Sequence, residues 1–339
     1  MPTPYEVLEV SDKEVRVSNP DKIFFPALRR TKLDLVRYYL AVQDGALRGA
    51  RDRPTTLYRW PNGVDAPEDA FYQKRVPDHP EWMETATVHF PSGRSARMLV
   101  VTDAAALVWA VNLGCIDFNP WPVRRSDLDH PDELRVDLDP TPDIPYEHVR
   151  RVAMVAKDVL SEHDLMGWPK TSGKRGMHIY VRIEPRWSFT EVRRAALAFA
   201  RAVEREVPDL ATTAWWKEER FGVFVDYNQN ARDRTIASAY SVRPVAEATV
   251  SCPLSWDEVP DVDPRDLTID TVPGRFASDG DPSRGIDEAV GTLDSLLELA
   301  ALDEKGGVSD APWPPHHPRG AGEPTRVAPS RARQRDTRS

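Results

Sequence analysis

The sequence is poor in cysteine. Cys115 and Cys252 are the only two, which excludes a disulfide framework and a cysteine-based metal cluster. Long apolar runs are missing as well, and none approaches the roughly 18 residues that span a bilayer. The N-terminal stretch MPTPYEVLEVSDKEV lacks the basic and apolar regions of a signal peptide. These absences give the expectation of a cytoplasmic chain with no membrane partner. There is no GxxxxGK[ST] phosphate loop and no internal repeat. A surplus of positive charge is also lacking, since the chain carries −9. Residues 311–339 hold six arginines against Glu323 and Asp336, so the body before them carries −13. That argues against bulk attraction to nucleic acid but leaves room for a local basic groove.

What is present begins with Leu134–Thr141, read LRVDLDPT. Leu134, Val136 and Leu138 alternate with Arg135, Asp137 and Asp139, the period of a half-buried strand. Asp137 and Asp139 therefore share a face, about 6–7 Å apart at the rise of a strand. Pro140 ends the strand because it cannot donate to a ladder. Two carboxylates so placed repel unless a cation bridges them, and hard divalent ions suit such a pair. The alternative is two solvated carboxylates at a polar strand edge.

The rest of the chain, with 40% apolar and 29% charged residues among 339, reads as a soluble protein with a large core. Residues 1–15 are expected to be extended or loose. Asn19-Pro20 marks a turn, and Thr31 caps a helix beginning KLDLVRYYLAV. Arg53–Asp65 is expected to be a strand running into a Pro-Asn-Gly turn, and Thr87–His89 and Met98–Thr102 are expected strands. Asp103 caps a helix, AAALVWAVNL. Pro145 opens another helix, to about Asp164. Ser188-x-x-Glu191 is a capping box for a third, to about Glu206. Ile286–Leu302 reads as a final helix. Residues 1–302 form the expected catalytic domain, and 303–339 a flexible Pro/Arg-rich tail. Phe71-Tyr72 reads first as core packing.

Lys170–Ile183, read KTSGKRGMHIYVRI, joins a small and basic turn to an alternating strand. Gly173 and Gly176 let backbone N–H groups approach an anion, and Ser172, Lys174, Arg175 and His178 add donors. Val223–Asp226, VFVD, ends a short strand in a third carboxylate, alternatively a turn former. Arg232, Arg234 and Arg243 follow, as ligands or as a solvated loop. Three carboxylates could complete two metal sites that clamp an in-line phosphoryl displacement. With an anion-binding turn beside them, the inventory is that of nucleotidyl transfer.

In combination, VDLDP, TSGKRGMHIY and FVDYNQN…TIASAYSVR resemble the archaeo-eukaryotic primase superfamily in its bacterial branch, the polymerase domain of end-joining ligase D and its stand-alone relatives. NPDKIFFP, RWPNGVD and FYQK resemble it as well, and the likeness covers about residues 10–300. The stand-alone relatives associated with ligase C are the expected closer match, because no ligase or nuclease module follows. The resemblance implies a mixed α/β (α+β) primase fold, with two sheet-bearing subdomains and a catalytic sheet like an RNA-recognition motif. It implies template-directed extension of primers across short DNA gaps, a preference for ribonucleotides, and primer synthesis as a further activity. Asp137, Asp139 and Asp226 would hold two ions, Mn²⁺ or Mg²⁺. Ser172, Arg175, His178 and Arg243 would contact the incoming ribo- or deoxyribonucleoside triphosphate. Asn119 stands where ligase-fused relatives have a histidine, and Tyr58 where they have a basic residue. Arg220 and Lys217 fall near the site. Phe71 and Tyr72 would stack on the template base, against the core-packing reading. Asn19, Lys22 and Lys32 would grip a 5′-phosphate across the gap. The implied partners are gapped or primed DNA and a separate ATP-dependent DNA ligase. Two other classes stay open, a metal-dependent nuclease or phosphodiesterase and a non-catalytic DNA-end-binding module.

Overall fold

The structure is a computed structural model that describes residues 3–76, 78–315, 317 and 318. It opens with a hairpin, β1 (Tyr5–Val10) against β2 (Lys13–Ser18), turned through Ser11 and Asp12 in left-handed backbone. Of the two expected alternatives, extended or loose, the extended one forms, because Val10, Val15 and Val17 bury into the N-terminal core. A second small hairpin, β3 (Ile23–Phe25) with β4 (Arg30–Thr31), leads into α1 (Lys32–Ala41). Thr31 caps α1 as expected, and Asp34 completes the capping box.

Helix α2 (Gln43–Ala50) follows, then β5 (Pro54–Arg59), β6 (Phe71–Gln73), β7 (Glu84–His89), β8 (Ser95–Val100), α3 (Ala104–Asn112, capped by Asp103) and β9 (Cys115–Pro120). The sheet runs β6-β5-β8-β7, with β9 also paired to β5. It forms one core with α1, α2 and α3, which is apolar from Ala104 to Val111.

The second lobe holds β10 (Glu133–Pro140), α4 (Tyr146–Glu162), β11 (Gly167–Thr171), β12 (Met177–Arg182), α5 (Phe189–Glu206), β13 (Ala211–Thr212) and β14 (Val223–Val225). Its order is β11-β12-β10-β14-β13. Taken as β10-α4-β11-β12-α5-β14, this is the split β-α-β of an RNA-recognition-motif sheet, as expected. Leu134, Val136, Leu138, Ile179 and Val181 bury against the apolar stripes of α4 and α5. Burying one such side chain fully is worth about 1.5–3 kcal/mol. A one-residue slip would turn the whole set to solvent, so the register of β10 is strongly specified. The opposite, polar face of the sheet is thereby fixed.

Toward the C-terminus come α6 (Val272–Asp279) and α7 (Asp294–Lys305). The continuous helix expected over 286–302 is not formed. Gly291 donates its N–H to Arg182 O and accepts from Glu184 N, at 2.9 and 3.1 Å, and this bridge to the sheet edge interrupts the helical path. Nor is 302 the end of the packed body. The buried Arg193 guanidinium binds Asp310 Oδ1 and the carbonyls of Ala311 and Pro312, at 2.7–3.2 Å. The expected tail from 303 is therefore docked through at least Pro312, and residues 319–339 lie outside the described residues.

Candidate active site

The polar face of the second sheet carries a row of three residues in register. Lys170 on β11 lies opposite His178 on β12, and His178 lies opposite Asp137 on β10. Lys170 Nζ is 2.7 Å from His178 Nδ1. His178 Nε2 is 3.6 Å from Asp137 Oδ1. Asp226 follows β14 and is locked beside the row, its backbone N–H donating to Asp137 O at 2.8 Å. Its Oδ1 accepts from Asn228 N at 2.9 Å, capping a short turn. The turn-forming reading of Asp226 is thus met, and the same carboxylate stands beside Asp137. Asp139, one step along β10, is exposed.

Electrostatics set this end of the sheet apart. Burial, then the charge of Asp226, then that of Asp139, push the Asp137 carboxyl up to about 8. Gln229 Nε2, donating to Oδ2 at 3.0 Å, offsets part of this. Burial raises Asp226 also, against its backbone hydrogen bond and Arg220. Among the described residues, no three carboxylate, imidazole or thiol groups are gathered as a ready-made metal site. The donor set nonetheless suits a hard cation, because three oxygen ligands that repel one another are what a divalent ion relieves.

The turn from β11 to β12 is built on Ser172, whose Oγ accepts the N–H groups of Lys174 and Gly176 at 3.1 and 3.0 Å. Gly173 has φ +68°, and a Cβ there would press on Arg243 and on Ser251 N. Gly176 sits against Leu138 O, where a Cβ has no room. Arg243 is aimed into this corner by the wholly buried Asp117, at 2.8 Å. Asn119, two residues along β9, donates to Asp117 O and Oδ1 at 3.2 Å. Arg175 stands exposed at the rim.

Three comparisons bear on this arrangement. The family model of the LigD primase-polymerase domain matches residues 31–283. The chain belongs to that family. The multifunctional non-homologous end joining DNA repair protein LigD of Mycobacterium tuberculosis H37Rv is 32% identical over 310 residues, 86% of this chain and 39% of the relative. The bifunctional LigD of Bacillus subtilis is 30% identical over 273 residues, 79% of this chain and 43% of the relative. The chain thus spans about two fifths of the length of these relatives. The solved polymerase domain of Mycobacterium tuberculosis ligase D in complex with DNA superposes with a TM-score of 0.76 at 31% identity, covering 81% of this chain and 98% of that one. The fold is therefore the archaeo-eukaryotic primase fold of LigD polymerase domains.

Other predicted residues of this family member fall as follows. Phe71 and Tyr72 are 44% and 57% exposed, which corrects the core-packing reading. Tyr72 stacks on Tyr58 with ring centroids 4.1 Å apart and planes 8° apart. Asn19, Lys22 and Lys32 meet at one corner, joined by Lys22 N to Asn19 O at 3.1 Å and Lys32 N to Lys22 O at 2.8 Å. Lys32 is buried, its ammonium on Ser18 O and Asn112 O. Burial, then Lys22 and Arg59, lower it to about 8. Among the described residues the Lys22 ammonium holds only Asn62 Oδ1, at 2.6 Å. Arg220 stacks 3.4 Å over Phe224 and faces Asp226 and Asp139, while Lys217 is exposed. Arg232 is spent on Asp129 and His89 O, the solvated-loop alternative.

Sequence reasoning missed Lys170, Asp117 and Gln229. Asp117 had a signal, a carboxylate two residues before Asn119 in an otherwise apolar run. Lys170 had none, because its place opposite His178 depends on the length of the turn between them.

Proposed function

We propose that this chain is a template-directed nucleotidyltransferase that extends a primer across short gaps in DNA, with a preference for ribonucleotides. The observation that carries the reading is the junction of two unlike features on one sheet face. Three mutually repelling carboxylates, Asp137, Asp139 and Asp226, stand beside a glycine turn whose backbone and cations suit a triphosphate. Asp137, Asp139 and Asp226 would hold two divalent ions, Mn²⁺ or Mg²⁺, which supply a lowered pKa to the attacking hydroxyl and neutralise the leaving pyrophosphate. The protein's own part is positioning and charge balance. Ser172, Arg175 and Arg243 bind phosphate oxygens, Arg243 being aimed by Asp117. His178 donates from the sheet floor. Arg220 balances the charge of Asp226. Tyr72 and Phe71 offer an exposed aromatic ledge for a template base. Asn19, Lys22 and Lys32 form a cationic corner for a 5′-phosphate beyond the gap, and a separate ATP-dependent ligase would seal the product.

The test is incubation of the full chain with gapped, 5′-phosphorylated DNA, Mn²⁺ and each triphosphate in turn. The expected result is primer extension directed by the template base and faster with ribonucleotides. Release of nucleotides without added triphosphate would instead support a nuclease. DNA binding with no product in any condition would support an end-binding module.

A further inference from the structure

The turn that follows β14 serves both buried carboxylates. Asn228 donates its backbone N–H to Asp226 Oδ1 at 2.9 Å, and Gln229 donates from Nε2 to Asp137 Oδ2 at 3.0 Å. Whatever holds residues 227–230 therefore holds the oxygens of the site. Asn230 ties the far end of the turn to β10, exchanging two hydrogen bonds of 2.8 Å with the Arg135 backbone. The middle is gripped by Arg193 on α5, which is 1% exposed and donates from Nε to Asn228 Oδ1 at 2.7 Å. A guanidinium has five N–H groups and no acceptor site, so a buried one needs several oxygens around it. The others come from far along the chain, Asp310 Oδ1 and the carbonyls of Ala311 and Pro312, at 2.7–3.2 Å. Trp313 closes over the same guanidinium, its ring centroid 4.0 Å away. This segment also meets the turn directly. Asn228 Nδ2 donates to Pro312 O at 3.1 Å, and His317 Nε2 lies 2.9 Å from Arg232 O, just past the turn.

We propose that residues 310–313 and His317 form a positioning strap: by completing the shell of Arg193 and holding Asn228 and the Arg232 carbonyl, they fix the turn that orients Asp226 and Asp137 toward a divalent cation. The inference rests on the nucleotidyl-transfer reading for the cation, whereas the hold on the turn stands without it. The strap is not itself a ligand and acts through Arg193 and Asn228. Releasing it would open the Arg193 guanidinium to water, which can hydrate the charge, so the sheet and its helices need not come apart. What would be lost is the fixed placement of two hydrogen bonds, one to each carboxylate.

The test uses the full chain with Asp310→Ala and Trp313→Ala combined, which removes the ion pair and the ring of the strap and leaves α5 untouched. Two quantities are measured without nucleotide or DNA. One is Mn²⁺ affinity, from the loss of the free-ion electron spin resonance signal, and the other is amide hydrogen exchange by mass spectrometry. The expected result is Mn²⁺ affinity weakened about three- to tenfold, the range of one net hydrogen bond, with faster exchange confined to residues 226–232 and the strap. Primer extension should then need more Mn²⁺ yet approach the wild-type rate at saturation, a split that general destabilisation does not give. Arg194→Ala breaks the adjacent pair with Glu304, at 2.7–2.8 Å, and should change neither quantity. If exchange shows the strap still docked in the double variant, Arg193→Met removes the grip outright and is measured in its place. Unchanged Mn²⁺ affinity in a chain whose strap is released overturns the proposal. Faster exchange across the whole second lobe, up to loss of the fold, overturns it as well, because the segment would then be an ordinary part of the core. If the wild type binds no Mn²⁺, the functional reading fails instead, and exchange at 226–232 alone decides the hold of the strap on the turn.

Discussion

Strand β10 is charged at both ends, and the two ends treat charge in opposite ways. At the N-terminal end Glu133 is 1% exposed and wrapped by arginines. Its oxygens meet Arg53, Arg135 and Arg182 at 2.7–3.0 Å. The preceding Asp132 meets Arg53, Arg124 and Arg182 at 2.6–3.3 Å. Burial alone would raise Glu133, but the three guanidinium groups outweigh it and hold the carboxyl well below the usual range. At the C-terminal end, two to three turns of the pleat away, no arginine among the described residues closes on Asp137. Burial and two further carboxylates push it up to about 8. The same residue type on the same strand is thus a structural pin at one end and a source of repulsion at the other. Buried charge that the fold itself pairs holds lobes together. Buried charge left unpaired with its own kind is the signature of a site that waits for a cation.

Breaking the unpaired end should have the largest effect on activity and the smallest harm to the fold. Asp137→Asn or Asp139→Ala should abolish primer extension while DNA binding persists, and Asp137→Asn should raise the thermal midpoint of the metal-free protein. Retention of the wild-type rate would sink the polymerase assignment. The pH dependence carries the same contrast. With the folded carboxyl of Asp137 near 8 and the unfolded one near 3.9, the native state alone keeps a proton between them. Stability of the metal-free protein should therefore fall as pH rises from about 4 to about 8, and then level off. Asp137→Asn removes that slope. Glu133, depressed rather than raised, contributes stability above about 4.3 that is lost as pH falls below it.

Breaking the paired end should do the reverse. Arg53→Met leaves Asp132 and Glu133 short of a partner inside the protein. Removing one member of a buried network costs about 3–5 kcal/mol. Urea unfolding should show that loss, while extension per folded molecule stays near the wild-type value. Equal loss of activity at constant stability would mean that the two ends are not separate in function.

The sequence made one end of this comparison legible and hid the other. The Asp-x-Asp alternation, the glycine turn and the third aspartate are local patterns, read from spacing within a few residues. The arginine cage is not local. Arg53, Arg124 and Arg182 lie far apart in the chain and converge only when β10 pairs with β12 and the loop after β9 folds back. Lys170 escaped for the same reason. The cap at Thr31 and the capping box at Ser188 were legible because their bonds span three residues. The interrupted helix before α7 was not, since Gly291 answers to a distant strand edge. The exposure of Phe71 and Tyr72 was not legible, because whether an aromatic pair is exposed is decided by what the fold leaves uncovered.

A milder test extends the comparison from carboxylates to cations. Lys32 resembles the paired end, with its ammonium on two buried carbonyls, and Lys22 resembles the open end. A charged hydrogen bond is worth about 1.5–3 kcal/mol. Lys22→Ala should therefore weaken binding to a 5′-phosphorylated gap about tenfold or more, with little change on the dephosphorylated gap and none in stability. Lys32→Ala should lower stability as well. Equal losses on both substrates would reduce the corner to general backbone contacts.

The smallest effect belongs to a group that is paired and unpaired at once. Ser172 Oγ accepts two backbone N–H groups, and those bonds shape the phosphate turn. Among the described residues the proton of that hydroxyl has no such commitment and is free to donate. A ribose 2′-hydroxyl can accept it, and a deoxynucleotide cannot. A neutral hydrogen bond nets about 0.5–1.5 kcal/mol, so this proton accounts for at most about a tenfold ribonucleotide preference. Ser172→Ala removes both roles, and they separate in the data. Loss of the acceptor role loosens the turn and weakens every triphosphate alike. Loss of the donor role changes only the ratio of ribo- to deoxynucleotide incorporation. Asn119 supplies the control, because its amide is bound to Asp117 on the neighbouring lobe. If Ser172→Ala slows both sugars equally and Asn119→Ala shifts the ratio, discrimination lies on β9. If both leave the ratio unchanged, the sugar is read by neither residue, and the free proton of Ser172 is only a solvated end of a structural bond.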